Sequence, residues 1–316
     1  MAFSEFGIGE IGGVAIPNQN NYPGLSQIIV EYAMPPQVFR QLFLNYNTYG
    51  KQSVTIPKED TPANTPAMVA SRVGEGDEFP LNILPVSSST ITVYKMGQGY
   101  QVTKEMIMFQ QIPIIQQRLK RLGIEMGQTI DWDCASVISA GAGASNAVNG
   151  TTKGMDNTVA AEANTIGQYD VVNARVRMMQ NNLQAETLVV HPKGAGHLMK
   201  LPQYKAQMLY GEPGYQTGEI GNVEGLRVLV TPNCGAVAAG TLTDGVAYVL
   251  TGTNSTAPNA LGQYTPMGYF VEALPITTSM VDNLRRDAFE VYASAMYAPA
   301  VVYANCIEKL TGATQA

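Results

Sequence analysis

The longest hydrophobic pattern in the chain is helical and spans residues 112–139. Apolar side chains recur there at spacings of four, three, four, four and seven residues, which places them on one helical face. These side chains are Ile115, Leu119, Leu122, Met126, Ile130 and Val137. Pro113 fits the first turn of a helix, and the glycine-rich residues 140–144 are typical of a helix end. The pattern predicts a helix roughly 40 Å long, which is unusual for a compact domain.

Strand patterns lie on both sides of a long irregular stretch. Residues 51–57 and 89–95 alternate between apolar and polar side chains and are rich in β-branched residues, which predicts two strands. About thirty residues rich in proline, serine and threonine separate them. Connections of this length are usually functional or disordered. The apolar residues of this connection favour a loop that docks on another protein: Met68, Val69, Val73, Phe79, Leu81 and Ile83.

The second half of the chain mixes short helical patterns with strands. A helix after Thr165 is predicted with these apolar positions in phase: Val172, Val176, Met179 and Leu183. Residues 186–191 are predicted to form a buried strand, and residues 192–201 a short helix. Further strands are predicted at residues 225–232, 245–250, 269–275, 287–297 and 300–307. This order lacks a regular βαβ alternation and therefore predicts the α+β class.

The composition indicates a protein whose surface is largely covered by other protein. Only 14% of the residues are charged, whereas about a quarter is usual. A net charge of −6 and the lack of a long basic run argue against tight binding of nucleic acid. No apolar stretch of about 18 residues occurs, so no membrane span is predicted, and we find no signal-peptide pattern. Cys134, Cys234 and Cys306 are predicted to be free, buried thiols.

A nucleotide-binding motif is present in the letters of the sequence. Residues 7–12 read Gly-Ile-Gly-Glu-Ile-Gly, and the acidic Glu31 follows about twenty positions later. A dinucleotide site needs a strand before these glycines and a helix that opens at the last of them. Only six residues precede the motif, and Pro17 and Pro23 prevent a continuous helix after it. We therefore interpret residues 1–50 as an extended N-terminal arm.

Other candidate chemistry is sparse. His191 and His197 are the only histidines, and no cysteine lies near them, which favours structural roles over a zinc site. Walker A and G-x-S-x-G motifs are absent. Glu75, Asp77 and Glu78 form an acidic cluster, but they lie in the long connection, which is a poor scaffold for catalysis. The sequence therefore predicts no enzyme, no cofactor, and no catalytic or metal-binding residue.

The predicted long helix carries its charges in two groups. The basic residues come first, and the acidic residues follow: Arg118, Lys120 and Arg121, then Glu125, Asp131 and Asp133. Arg121 and Glu125 are spaced to form an ion pair within the helix. Two interpretations stay open for these charges, a solvated polar face or complementary contacts with a neighbouring copy of the chain. Gly123 and Gly127 each disfavour a helix by about 1 kcal/mol, which indicates the close approach of another backbone.

Several segments in order resemble one protein family. They are residues 67–80 (AMVASRVGEGDEFP), 91–107 (ITVYKMGQGYQVTKEMI), 112–143, 187–201 (TLVVHPKGAGHLMKL), 225–232 (GLRVLVTP) and 285–305 (RRDAFEVYASAMYAPAVVYAN). No single segment is specific, but the ordered series over roughly residues 50–310 is. It resembles the major capsid proteins of tailed bacteriophages and related archaeal viruses, which share the Hong Kong 97-type fold.

The resemblance implies a division of the chain into capsid-specific parts. They are an N-terminal arm (1–50), an extended loop (51–101), a peripheral domain with the long spine helix (102–209), an axial domain (210–282) and C-terminal strands of the peripheral domain (283–316). The extended loop would reach over the next subunit, and the arm would lie under a neighbour. Intersubunit contacts are expected from the loop and the spine helix at Arg72, Glu75, Asp77, Glu78, Phe79, Arg118, Arg121, Glu125 and Asp131.

The function implied by the resemblance is that of a major capsid protein. Identical subunits would assemble in the host cytoplasm into hexamers and pentamers of an icosahedral virion shell around double-stranded DNA. The DNA would be touched weakly and non-specifically, and no membrane would take part. Further partners would be scaffolding, portal and decoration proteins. Because the arm begins almost at the first residue, we expect one of two cases. Either scaffolding is a separate protein, or this sequence is a form of the protein that lacks an N-terminal scaffolding segment.

Two further properties of relatives were weighed for this chain. Some relatives form a Lys–Asn isopeptide bond between subunits; Lys58 and Asn305 lie in suitable segments, but nothing marks them as a pair, so no cross-link is predicted. The alternative function is an encapsulin-type shell of a cellular compartment, which has the same fold. The long N-terminal arm, in place of a starting helix, weighs against that alternative.

Overall fold

Helices and strands alternate irregularly along the protein, as the α+β prediction requires. The computed structural model describes residues 10–11, 14–15, 37–48, 50–59, 73–75, 86–105, 113–143, 166, 168–180, 183–200, 222–238, 241–242, 246–251, 267–283 and 285–311. The helices are α1 (Pro113–Gly143), α2 (Gln168–Gln180) and α3 (Pro192–Lys200). The strands are β1 (Glu10–Ile11), β2 (Val14–Ala15), β3 (Leu44–Asn47), β4 (Ser53–Glu59), β5 (Val86–Thr92), β6 (Tyr94–Thr103), β7 (Ala185–Val190), β8 (Asn222–Val223), β9 (Leu226–Val230), β10 (Ala236–Ala238), β11 (Thr241–Leu242), β12 (Val246–Thr251), β13 (Gly268–Asn283), β14 (Ala288–Val301) and β15 (Ile307–Thr311).

A long four-stranded sheet has the strand order β3-β13-β14-β6. β13 and β14 form an antiparallel hairpin, and β6 runs antiparallel to β14 in register from Ala288↔Thr103 to Tyr297↔Tyr94. β3 is parallel to β13 and pairs only with its first part, at residues 269–272. Alternate residues of each strand face opposite sides of the sheet, so one face receives α1 and the other receives the hairpin of β4 and β5.

A second sheet has the strand order β15-β12-β7-β9-β8. β7 and β9 are parallel, and the other neighbouring strands are antiparallel. The two central strands are apolar along most of their length, with Leu188, Val189, Tyr248 and Val249 fully buried. Continuous apolar runs are typical of strands that are covered on both faces. One contiguous core joins this sheet to α1, α2 and the long sheet.

The predicted strands around the long connection form an antiparallel hairpin of β4 and β5. The pairing runs from Ser53↔Thr92 to Glu59↔Val86. At its base, Ile56 and Ile91 pack in a small separate core on the long sheet. Residues 60–72 and 76–85 of the predicted extended loop lie outside the described residues.

The spine helix α1 contains 31 residues and buries the predicted face. Leu119, Leu122, Met126 and Ile130 are all buried, which confirms the periodicity for these positions. Val137 is only half-buried, and Ile138 takes the buried position beside it. The side chain of Ile115 lies outside the described part.

The buried face of α2 differs from the prediction. Val171, Ala174 and Met178 are buried, whereas the predicted Val176 and Met179 are exposed. The helix carries two apolar stripes one residue apart, and the stripe that includes Ala174 faces the core. Alanine adds little to a hydrophobicity count, so the sequence favoured the other stripe.

Each of the two sheets combines strands that the predicted boundaries place in different domains. β7 was assigned with the spine helix, yet it lies at the centre of the five-stranded sheet. Most of β13 was assigned to the axial domain, yet it pairs with β14 to its end at Asn283. β15, assigned with the C-terminal strands of the peripheral domain, pairs with β12. Sequence order hides the pairings of β7 and β15 with β12 because they join residues far apart in the chain. β13 and β14 are consecutive strands that the predicted boundary after residue 282 divides.

Two glycines provide a matched test of this packing. A Cβ atom on Gly268 would lie 2.2 Å from the carbonyl oxygen of Ala300, whereas one on Gly196 in α3 would meet nothing within 4 Å. We expect Gly268→Ala to destabilise the subunit by about 2 kcal/mol, because backbone must move. Gly196→Ala should stabilise it by up to about 1 kcal/mol through helix propensity. Urea unfolding of both variants tests the pair, and equal effects would contradict the pairing of β13 with β14.

Candidate functional site

The three acidic residues of the spine helix α1 all bind partners within their own subunit. Asp131 is fully buried; its Oδ1 accepts a hydrogen bond of 2.6 Å from the backbone N–H of Phe39, and its Oδ2 accepts one of 2.9 Å from Asn233 Nδ2. Trp132 Nε1 donates to the Oδ1 atom of Asn233 at 2.8 Å. Asp131 therefore ties the segment 37–43 and the turn after β9 to the same turn of the helix.

These contacts correct the prediction for Asp131. The carboxylate is committed inside the subunit, and no part of it is accessible to another copy. Burial raises the pKa of Asp131 above its usual range, and this effect exceeds the opposing effect of the hydrogen bonds from Asn233 and Phe39. The residue is a structural junction in the described fold.

Asp133 binds two tyrosines of the long sheet. Its Oδ2 accepts hydrogen bonds from Tyr297 Oη at 2.6 Å and from Tyr94 Oη at 2.9 Å. Burial, together with the neighbouring carboxylate, raises the pKa of both phenols above the usual value. Tyr297 also stacks on Phe270, with ring centroids 5.3 Å apart. α1 is thus fastened to β6, β14 and β13 at one point.

Glu125 forms the third junction, and this one lies at the surface. Its Oε1 accepts a hydrogen bond of 2.8 Å from Arg121 Nε, as the predicted ion pair requires. Its Oε2 accepts hydrogen bonds from Tyr100 Oη and, at 2.7 Å, from Gln98 Nε2. Partial burial disfavours the charge, but the bonds from Tyr100, Arg121 and Gln98 outweigh it and lower the pKa of Glu125.

The remaining predicted contact residues are distributed unevenly. The Arg121 side chain is 75% exposed, and Arg118 is half-buried on the same helix. Glu75 is exposed. Arg72, Asp77, Glu78 and Phe79 lie outside the described residues. Among the described members of the predicted set, the structure brings Arg121 and Glu125 into direct contact. Contact of Glu75, Arg118, Arg121 and Glu125 with another copy stays a prediction.

Tyr100, Gln98 and Tyr94 were missed by sequence reasoning, although a signal existed. Residues 94–103 alternate, and their even-numbered members face α1. Polar tips on that face indicate partners on the element packed against it, which here are Asp133 and Glu125. The predicted strand 89–95 contains Tyr94 but ends before Gln98 and Tyr100.

Apolar side chains are also exposed on several elements of the described structure. They are Leu44, Tyr46, Tyr94, Ile124, Val176, Met179, Val230, Leu274, Val281 and Tyr292, each more than a third exposed. Single exposed apolar residues are ordinary, but they occur here on both sheets, on α1 and on α2. They add to the low charge content as a sign of surfaces that contact other protein.

The candidate chemical motifs form no site in the described residues. Glu10–Ile11 pairs antiparallel with Val14–Ala15, so an extended pair, not a helix, follows the first glycines of the G-x-G-x-x-G motif. The described part contains no group of three potential metal ligands. Its helices include none that is long and apolar enough to span a membrane. The thiol prediction is confirmed: Cys134, Cys234 and Cys306 are buried and form no disulfide.

The family model and the solved structures that this chain resembles agree with one another. The phage capsid protein family model matches residues 87–309, more than two thirds of the chain. The capsid structure of Cyanophage P-SCSP1u is 13% identical, covers 98% of this chain and 94% of its own, and gives a TM-score of 0.65. A phage-related protein from Bordetella bronchiseptica is 11% identical, with coverages of 94% and 98% and a TM-score of 0.62.

A third similar structure comes from an archaeon. The virus-like particle from Pyrococcus furiosus is 11% identical, covers 91% of this chain and 98% of its own, and gives a TM-score of 0.54. No curated protein sequence matches the chain. At these identities the structural likenesses show the fold, which is the predicted Hong Kong 97-type capsid fold. Given the match to its model across both sheets and the spine helix, the chain belongs to the phage capsid protein family, whose members are structural proteins of the virion and not enzymes.

Proposed function

We propose that the chain is a major capsid protein whose copies form the hexamers and pentamers of a closed icosahedral shell around double-stranded DNA. Assembly would take place in the host cytoplasm. Scaffolding, portal and decoration proteins are the further partners that this role implies.

Family membership over residues 87–309 is the observation that carries the proposal. The subunit itself also supports the proposal, because it combines a complete core with exposed apolar surfaces. The core joins both sheets and the three described helices, yet large apolar side chains stay exposed on α1, on α2 and on both sheets. Copies of one chain that cover such surfaces repeatedly gain stability from many modest contacts.

Each part of the described fold has a place in this proposal. The β4–β5 hairpin is the base of the extended loop, and residues 60–85 are the part that reaches the next subunit. α1 with the long sheet forms the peripheral domain, and the five-stranded sheet forms the axial domain. The contact residues that stay in the proposal are Arg72, Glu75, Asp77, Glu78, Phe79, Arg118, Arg121 and Glu125.

Contact with the packaged DNA would be weak and non-specific. The chain has 25 acidic and 19 basic residues, so its net charge repels a polyanion. An inner surface of this kind contains DNA without binding it tightly.

Electron microscopy of the purified full-length chain, with measurement of the enclosed nucleic acid, tests this function. We expect closed icosahedral shells with six-fold and five-fold capsomers, and DNA in particles recovered from infected cells. Small shells that enclose a host enzyme would instead support the encapsulin alternative. A soluble monomer or dimer under all assembly conditions would contradict both.

A further inference from the structure

Arg121 is an exposed side chain held in one direction. Three quarters of its side-chain surface is accessible, yet its Nε atom donates a hydrogen bond of 2.8 Å to Glu125. An exposed arginine without such a bond samples many rotamers, and ordering it on binding is costly. The bond through Nε leaves donors on the two terminal nitrogens of the guanidinium, although the Tyr100 hydroxyl is close enough to contribute to the raised pKa of Arg121.

Glu125 is itself fixed by the neighbouring sheet. Tyr100 and Gln98, both on β6, donate to its Oε2 atom, so the carboxylate cannot follow Arg121 through its rotamers. The carboxylate is 26% exposed, and its lowered pKa keeps it ionised at neutral pH. The result is a rigid series of contacts from the sheet, through a carboxylate, to a guanidinium at the surface.

The surroundings of Arg121 are basic and apolar. Arg118 lies one turn earlier on α1, close enough to affect the pKa of Tyr100. Ile124, three residues after Arg121, is 40% exposed. Residues three apart are neighbours on a helix surface, so the guanidinium lies beside an exposed apolar side chain.

We propose that Glu125 is a positioning residue that presents the terminal nitrogens of Arg121 to a carboxylate of a second copy of this chain. This inference rests on the proposed function, because it assumes that identical copies meet at α1. Glu125 was expected to contact another copy directly. In this proposal it instead orders the contact that Arg121 makes, from within its own subunit.

A carboxylate of a second copy fits this surface better than a DNA phosphate does. The chain is acidic, with 25 acidic against 19 basic residues, so another copy carries more carboxylates than cationic groups. The exposed Ile124 beside Arg121 needs an apolar neighbour, which a protein surface supplies and a phosphate backbone does not. Planar guanidinium and carboxylate groups also match in bidentate geometry.

Three substitutions separate positioning from simple charge. Arg121→Lys keeps the charge but loses the fork geometry, and Tyr100→Phe removes one of the bonds that hold Glu125 without changing any charge. Glu125→Gln makes the patch more positive, so attraction by charge alone would strengthen assembly. The positioning role requires that all three weaken it. Arg227→Lys, at an exposed position on β9, is the control for the arginine substitution.

The measurement is the critical concentration for shell assembly by the full chain, with the unfolding midpoint of each variant as the check on folding. We expect the critical concentration to rise about fivefold for Arg121→Lys and Glu125→Gln, and about twofold for Tyr100→Phe. Arg227→Lys should leave it unchanged, and all unfolding midpoints should stay within a few degrees.

The contradicting outcomes are distinct. Wild-type shells with an unchanged or lower critical concentration for Glu125→Gln would overturn this inference and leave the proposed function standing. Unchanged assembly together with weaker binding of a duplex DNA oligonucleotide by Arg121→Lys would mean that the acceptor is a phosphate, which also overturns it. Failure of the wild-type chain to assemble at all would overturn both.

Discussion

Replacement of residues 60–85 by an Asn-Gly turn is expected to abolish closed shells and to leave a folded subunit. Glu59 and Val86 are the last pair of the β4–β5 hairpin, next to the connection formed by residues 60–85. A two-residue turn can therefore join them in register. In the described residues, the small core at the base of this hairpin is formed by Ile56, Ile91, Val93 and residues of the long sheet. The change therefore removes the part proposed to reach the next subunit, and it removes no helix or strand of the described fold.

Size-exclusion chromatography and negative-stain microscopy measure this result, with urea unfolding as the check on folding. A 26-residue Gly/Ser linker in place of residues 60–85 is the control that restores length without the side chains, and it too should fail to form shells. An unfolded deletion variant would mean that residues 60–85 belong to the subunit's own core. Normal shells would mean that they make no essential contact.

Asp131→Ala is expected to have the largest effect on subunit stability, with a loss of about 3 kcal/mol in the free energy of unfolding. The substitution leaves two donors without their acceptor, the buried backbone N–H of Phe39 and the half-buried side-chain amide of Asn233. Asn233 also accepts from Trp132, so it cannot reverse its amide without losing that bond. Urea unfolding of the unassembled subunit gives the measurement.

The pH dependence of this effect has a defined sign. The pKa of Asp131 is raised in the folded subunit, mainly by burial, so the folded state binds more protons than the unfolded chain between the two pKa values. The stability contributed by Asp131 is therefore full below about pH 4, the usual value for Asp, and falls as the pH rises through the raised value. Asp131→Asn should be free of this slope.

Asp282→Asn is the control for both Asp131 experiments. Its side chain is 40% exposed, and its contact with Lys104 is 3.8 Å long. We expect a change within about 0.5 kcal/mol. A loss for Asp131→Ala no larger than this would show that the junction at Asp131 does not hold the spine helix, segment 37–43 and the turn after β9 together.

The spine helix was predictable because a single strong period specifies it. Leu119, Leu122, Met126 and Ile130 repeat over more than three turns, and tertiary contacts reinforce that choice. The strands β4 and β5 were predictable for the same reason, since alternation marks both, although the predicted range 89–95 covers the end of β5 and the start of β6. Their pairing with each other was not part of the prediction. The length of β13 was not predictable, because residues 276–283, which follow Pro275, show no clear hydrophobic alternation.

The candidate site was less predictable than the fold. The pattern gave the right pair in Arg121 and Glu125, since that pairing depends only on local spacing along a helix. It missed the burial of Asp131, whose partners Phe39 and Asn233 are 92 and 102 residues away in the chain. A charged residue in a sequence suggests a position at the surface, and only the fold shows that Asp131 lies inside the subunit.

The central claim is that each subunit completes its buried surface on identical copies through protruding segments. A cryo-EM map of particles assembled from the full chain, at a resolution that traces residues 60–85, tests it most directly. We expect that segment to lie across the spine helix or long sheet of a neighbouring subunit. A map in which residues 60–85 pack only against the subunit that carries them would contradict the claim.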